Sequence, residues 1–499
     1  MRLWRDLGLI AAILLSIAAA GIGGSQAQDL RVALQDDPDS LDPAINQSFV
    51  GRHVLQSLCD KIVDLDAQGR IIPMLATSWS WSGDGMALSL TLRPGVTFHD
   101  GTAFDAEAVR FNLDRALSLP ASRRKAEVEA IAGLEVTGPL AITIKLKRPS
   151  IPLLSALTDR AGMMVSPVAA KSSDMTAHPV CAGPYRFVER RAQERIVLAR
   201  FPAHWRAASY HFDTVVFRPQ PDSSIRLLNL RAGQFDIIER LAPSDVAATE
   251  ADRSLRVVPV TGLGYYNMTF NLANGAGANP ALTAEIRHAI DLAIDRNAIN
   301  QVAFDGRYQA GNQPFPPGSP WYDETNKVRS ADPAEAKRLM AGRKIRFTLM
   351  VPTDPERGQV AQMIQAMLAE IGITVEIQRL ELISLLDRAR QGQFEAHIVG
   401  WSGRPDPDLN ITPMLTCGAS LNDGHYCNAA FEALLTQARA MADPAARKLL
   451  YDRIIGMLQT DLPTLYLYHS KWIYAHRAGI TGLSTVPDGI LRLDGVKPI

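Results

Sequence analysis

The 499-residue chain sets 52 Lys and Arg against 52 Asp and Glu, and 47% of it is hydrophobic. So even a charge balance gives no reason to hold nucleic acid or an anionic membrane surface non-specifically. The length exceeds what one core fills, at ~100–200 residues per domain, so two or more subdomains are expected.

In chain order, Arg2 and Arg5 make a positive start and an apolar run extends from Leu7 to Ala20. Gly21 to Ala27 leads to Ser25-Gln26-Ala27, with small residues where a signal peptidase reads. The run is short for a spanning helix, which needs ~20 residues. Residues 1–27 are expected to be a secretory signal peptide, with an uncleaved anchor as the alternative. The mature chain would begin near Gln28, with no further long apolar run and no lipoprotein-type cysteine after the cleavage site.

Leu88 to Leu92 alternates apolar and polar residues, as does Ile142 to Lys147, so both are predicted half-buried strands. Asp84-Gly85, Pro94-Gly95 and Asp100-Gly101 supply turn chemistry around them. Asp105 reads as a helix N-cap, with Phe104 and Val109 at the spacing of a hydrophobic staple and Leu113, Ala116 and Leu117 continuing the apolar face. Ile286, Ala289, Ile290, Ala293 and Ile294 predict a second amphipathic helix. Val360, Met363, Ile364, Met367 and Leu368 predict a third, with Gly372 placed to end it. Strands follow around Val375 and Ile377, then Ile398 and Val399. Asp443-Pro444 starts a last helix that Pro463 stops. The pattern is mixed α/β with more than one lobe.

Four cysteines, Cys59, Cys181, Cys417 and Cys427, invite a disulfide reading in an exported chain. Cys417 and Cys427 bracket a loop rich in Gly, Asn and Asp that a short-range bridge would staple. Cys59 with Cys181 follows by elimination. The spacing fits no zinc site.

Pro73 to Trp79, Asp84-Gly85, Leu92 to Gly101 and Phe104 to Leu113 together resemble one signature. It is that of the peptide/nickel-type extracellular solute-binding proteins of ABC importers, among them dipeptide, oligopeptide, nickel and glutathione binders. Ser40 to Pro43, Gly183 to Phe187, Asn267 to Asn271, Ile286 to Arg296, Gly400-Trp401 with Asp406 to Asp408, and Tyr426 to Phe431 follow in the same family's order. The resemblance implies an α/β fold of two lobes joined by a hinge, closing over a ligand, with an extra subdomain on lobe I. Lobe I would span 28–260 with the subdomain at about 52–180, lobe II 261–475, and residues 476–499 would return to lobe I. It also implies a monomer without a cofactor, in the periplasm of a Gram-negative bacterium, serving an inner-membrane permease.

In that family the tryptophan of the Gly400-Trp401 segment borders the cleft, which is the expectation for Trp401, with a core aromatic as the lesser alternative. Gly403, Pro405 and Pro407 force irregular backbone outward beyond it, offering unpaired polar groups to a ligand, with Ser402 among them. Three residues after the tryptophan, dipeptide and oligopeptide binders carry an aspartate for the peptide's amino terminus; here stands Arg404. A cation there suits a carboxylate or phosphate of the ligand, or pairs internally with Asp406 or Asp408. Tyr265, Tyr266, Asn267 and Tyr426 are further wall candidates, and Gln35 and Asp36 would end the first strand at the cleft.

Two other functions are weighed. Gly400-Trp401-Ser402-Gly403-Arg404 superficially resembles a nucleophile elbow of a serine hydrolase, but Arg replaces its last glycine and prolines follow where a helix should start. No catalytic residue is therefore expected. A metal or metallophore carrier remains open, since nickel binders share the family, although no zinc-type histidine pair is present. A periplasmic sensor would use the same fold.

Overall fold

The computed structural model describes residues 28–273, 275, 277–441, 443–484 and 486–499; the expected signal peptide lies outside them. Three sheets organise the chain. The first has seven strands in the order Leu255–Thr261, Lys471–Arg477, Ile237–Ile238, Asp29–Leu34, Thr214–Pro219, Arg195–Arg200 and Tyr185–Arg191. Asp29–Leu34 runs parallel to both of its neighbours. Its Leu30, Val32, Ala33 and Leu34 are all fully buried, as a near-continuous apolar run requires in a sheet covered on both faces.

The second sheet orders six strands as Gln309–Ala310, Thr464–His469, Tyr265–Phe270, Ala396–Trp401, Ile345–Pro352 and Ile373–Leu380. Ile345–Pro352 and Ile373–Leu380 are parallel, so the chain between them must cross over the sheet. Helix Pro355–Glu370 makes that crossover, turning Val360, Ala361, Ile364 and Leu368 into the core. The third sheet is antiparallel: Ala76–Trp81, Ala87–Leu92, Ala141–Leu146 and Ile131–Gly138. Helix Ala106–Ser118 covers it, its start fixed by the Asp105 carboxylate accepting from the Ala108 amide at 2.9 Å.

These sheets define a first lobe, a second lobe and a subdomain on the first. The chain crosses between the lobes twice in close proximity. Leu255–Thr261 passes to Tyr265–Phe270 through three residues, and Thr464–His469 passes to Lys471–Arg477 through Ser470 alone. The return into the first lobe therefore comes at Lys471, five residues ahead of the expected 476, because Lys471–Arg477 pairs along its length with Leu255–Thr261. The subdomain also starts later than residue 52. Arg52 lies within helix Phe49–Leu58, whose Val50, Val54, Leu55 and Leu58 pack into the first lobe, whereas the subdomain core draws on residues from Ile62 to Ala182.

Both cysteine pairs are joined, Cys59 to Cys181 and Cys417 to Cys427. Among the described residues no helix is long and apolar enough to cross a membrane.

Candidate ligand-binding site

A cavity of about 600 Å³ lies between the two lobes. From the first lobe it takes Gln35 and Asp36, just beyond the end of the strand Asp29–Leu34, where parallel strands leave room for ligands. The Gln35 amide donates to Glu239 Oε1 at 2.6 Å, and the other oxygen of Glu239 lies 2.7 Å from His53 Nε2, so this corner is fixed. Asp36 has no hydrogen bond or ion pair among the described residues. Although its side chain reaches solvent, loss of hydration between the lobes, with the Glu239 charge beside it, pushes its carboxyl up to about 6.

Phe49, Arg240 and Trp472 continue the first wall. Phe49 stacks on Trp472 with ring centroids 4.0 Å apart, and the Arg240 guanidinium lies 4.4 Å from the Trp472 ring. Arg240 Nη1 donates across the cleft to the Tyr266 hydroxyl at 3.2 Å.

The second wall is the face of the strand pair Tyr265–Phe270 and Ala396–Trp401. Alternation places Tyr265, Asn267 and Thr269 on one face opposite Trp401, Val399 and His397. All six line the cavity. Tyr265 is anchored through its hydroxyl to the Asn410 carbonyl at 2.9 Å, and Trp401 through Nε1 to Asn410 Oδ1 at 2.9 Å. Asn267 donates to the Thr464 and Thr269 hydroxyls at 2.6 and 2.9 Å, so it serves the wall as much as the cavity. Tyr426 lines the cavity and donates to Asp461 Oδ2 at 2.5 Å. Ser402 also lines it, its Oγ accepting from Arg52 Nη1 at 3.1 Å and Arg404 Nη1 at 3.3 Å. Among the described residues no His, Asp or Glu side chain is hydrogen-bonded to this hydroxyl.

Asp406 does not line this cavity, and Arg404 reaches only the small crevice beside it, so neither sits where the sequence placed it against the main cavity. Gly403 adopts a left-handed conformation (φ 80°), and a Cβ there would fall 2.3 Å from the Leu263 backbone. That turn sends Arg404 into the wall. Its Nε lies 3.1 Å from Asp159 Oδ2, so its carboxylate partner is neither Asp406 nor Asp408. Those two are taken: Asp406 forms a bidentate pair with Arg447 at 2.7 Å for each contact, and Asp408 meets Arg439 Nε at 2.8 Å. Burial pulls the Arg404 guanidinium down to about 10 against the opposing charge of Asp159.

The structure adds side chains that the sequence reading did not single out. Arg123, Arg357, Arg390, His397 and Asp423 all line the cavity. Neither ring nitrogen of His397 has a partner among the described residues, and burial lowers its imidazole to about 4. Asp423 lies inside the Cys417–Cys427 loop, whose Asn and Asp content was a visible signal. The arginines gave none, since they come from a loop and two helices far apart in the chain. Among the described residues no group of three or more His, Cys, Asp or Glu side chains is placed to hold a metal ion.

Residues 70–422 match the model of the bacterial extracellular solute-binding proteins, family 5 Middle. The chain is 27% identical over 487 residues to the glutathione-binding protein GsiB of Pectobacterium atrosepticum, covering 94% of each. It is similar to the dipeptide binding protein of Pseudoalteromonas sp. SM9913 solved with Met-Leu, with a TM-score of 0.87 and 21% identity over 95% of this chain and 100% of that one. It is also similar to the periplasmic binding protein DppA of Helicobacter pylori solved with a peptide, with a TM-score of 0.86 and 26% identity over 95% of this chain and 98% of that one.

Proposed function

The chain belongs to the family 5 bacterial extracellular solute-binding proteins, and from that premise we propose that it captures a glutathione-like, charged peptide solute between its lobes. Members of this family are binding components of ABC importers rather than enzymes. The observation that carries the reading of the ligand is the mixture of unspent charges around one cavity. Asp36 and Asp423 lack ion-pair partners among the described residues, and so do Arg123 and Arg240, while aromatic rings supply the remaining wall. Charge withdrawn from water without a partner is unfavourable, so a ligand carrying the complementary groups gains by filling the cavity.

The finer assignments rest on the same reading. Residues 1–27 act as the signal peptide, and the mature protein works as a monomer in the periplasm of a Gram-negative bacterium. It hands its solute to an inner-membrane permease. The lobes close over the solute, with Gln35, Asp36, Tyr265, Tyr266, Asn267, Trp401, Ser402 and Tyr426 as walls.

Isothermal titration of the mature protein with glutathione, α-linked dipeptides and a nickel–histidine chelate tests the reading. Binding of glutathione in the micromolar range or tighter, with the chelate silent, is the expected result. Tight binding of the chelate alone would replace the peptide reading with a metallophore one.

A further inference from the structure

The segment after Trp401 offers the cavity no free carboxylate: Arg404 is paired with Asp159, and Asp406 and Asp408 are paired with Arg447 and Arg439. A ligand ammonium must then be met elsewhere in the cavity. The carboxylates that line it are largely committed. Asp37 pairs with Arg190 at 2.9 Å, Asp354 pairs with Arg357, Glu127 pairs with Arg124 at 2.5 Å, and Asp222 caps a helix. Asp36, Glu381 and Asp423 have no ion pair or side-chain hydrogen bond among the described residues. The side chains of Asp36 and Glu381 are open to solvent, while Asp423 is half-buried.

Asp423 is also held still. It sits within the ring closed by Cys417 and Cys427. Its neighbour Asn422 is buried and donates to the Thr416 and Tyr426 carbonyls at 2.7 Å each, while its Oδ1 accepts from the Tyr426 amide at 3.2 Å. The carboxylate is thus presented by a fixed turn. Burial raises it to about 7, and Arg390 is the charge that acts to lower it.

Two cations line the cavity near it from opposite lobes. Arg390, at the end of helix Leu382–Arg390, spends one side of its guanidinium on Asp387 and its Nε on the Leu386 carbonyl at 3.1 Å. Arg123, from the subdomain, has no ion pair among the described residues, and its buried Nε has no hydrogen-bond partner. Arg123 and Leu421 also line a small crevice beside the main cavity, which brings the arginine to the loop that carries Asp423. Arg390 repels Arg123 across the gap. An anion between them relieves that repulsion and ties the lobes together.

We infer that Asp423, Arg390 and Arg123 form a subsite for a free α-amino acid head, with the ligand's ammonium on Asp423 and the carboxylate of the same carbon between the two arginines. This rests on the reading of a peptide-like solute and deepens it. A γ-linked peptide carries such a head, whereas an α-linked dipeptide separates its ammonium from its carboxylate by a peptide unit. The subsite therefore selects for linkage. Tyr266, Arg240 and Trp472 remain along the wall for the rest of the molecule.

The test is titration of the mature protein, wild type and Asp423→Asn, with glutathione and with a deaminated glutathione lacking the α-amino group, with Arg123→Gln as a second variant. Wild type is expected to prefer glutathione over the deaminated form by at least thirtyfold. Asp423→Asn should collapse that preference to below about threefold while its thermal melt stays cooperative. Arg123→Gln should weaken both probes by tenfold or more, since each keeps its carboxylates. Should Asp423→Asn bind glutathione with the wild-type preference intact, the subsite is overturned while the peptide reading stands. A wild-type protein that binds neither glutathione nor any γ-linked or α-linked peptide overturns both.

Discussion

Arg404 Nε lies 3.1 Å from Asp159 Oδ2, the arginine in the second lobe and the aspartate in the subdomain of the first. Arg52 Nε holds the other oxygen of Asp159 at 3.1 Å, and the three side chains are 3% exposed or less. One carboxylate is therefore shared by two lobes. Removing Arg404 leaves Asp159 with Arg52 and a longer contact to Arg160 at 3.8 Å. Arg404→Ala is expected to cost roughly 1–3 kcal/mol in denaturant unfolding, less than the 3–5 of a wholly orphaned buried charge. Any loss of affinity should be the same factor for glutathione and its deaminated form. A loss confined to one of them would return Arg404 to the ligand.

Asp423 makes apo stability depend on pH. Its folded value of about 7 stands above the unfolded one, so the native state binds more protons between about pH 4 and 7. Its contribution therefore falls as pH rises through that window. Asp423→Asn removes the penalty, and the gain in Tm over wild type should be small at pH 5 and largest at pH 8. Equal gains at both values would mean that Asp423 is ionised at little cost.

His397 acts with the opposite sign. Its folded value of about 4 lies below the unfolded one, so the unfolded chain binds the extra proton between about pH 4 and 6.5. Stability from this site is present above pH 6.5 and is lost as pH falls towards 4, by up to roughly 3 kcal/mol at 1.36 per unit. His397→Leu should flatten the acid limb of a Tm-against-pH curve relative to wild type. An unchanged limb would show that His397 accepts a proton freely in the fold.

The two disulfides should separate by function. Cys59–Cys181 spans 122 residues within the first lobe and its subdomain, and its double serine variant is expected to lose about 2–5 kcal/mol with ligand affinity unchanged. Cys417–Cys427 spans 10 residues around Asp423, and its double serine variant should lose glutathione affinity about tenfold with a smaller drop in Tm. The reverse pattern would detach the Asp423 turn from binding.

Much of the fold was legible because period and caps act locally. Asp105, Asp443-Pro444 and the alternation of Leu88 to Leu92 each specify an element from within a few residues. The site was legible where it follows strand order, as at Gln35, Tyr265 and Trp401, because alternation decides which side chains share a face. Arg404 was misread for a physical reason. Its partner Asp159 is 245 positions away, and only the turn at Gly403 determines which wall the side chain enters. Arg123 and Arg390 were invisible on the same ground, since nothing in a local window tells a cavity arginine from a surface one.

The two crossings between the lobes lie side by side. Val260 pairs with Trp472 before the gap and Tyr266 with Tyr468 beyond it, and His469 Nδ1 donates to the Gly264 carbonyl at 2.8 Å between them. Two crossings this close together mean that the closure proposed above would turn about one place rather than two. In that reading, a receptor docking on the outside would need to sense only how far the lobes have turned to learn that cargo is aboard. The chemistry of recognition and the signal of occupancy are thereby kept apart, and the first can be rewritten without disturbing the second.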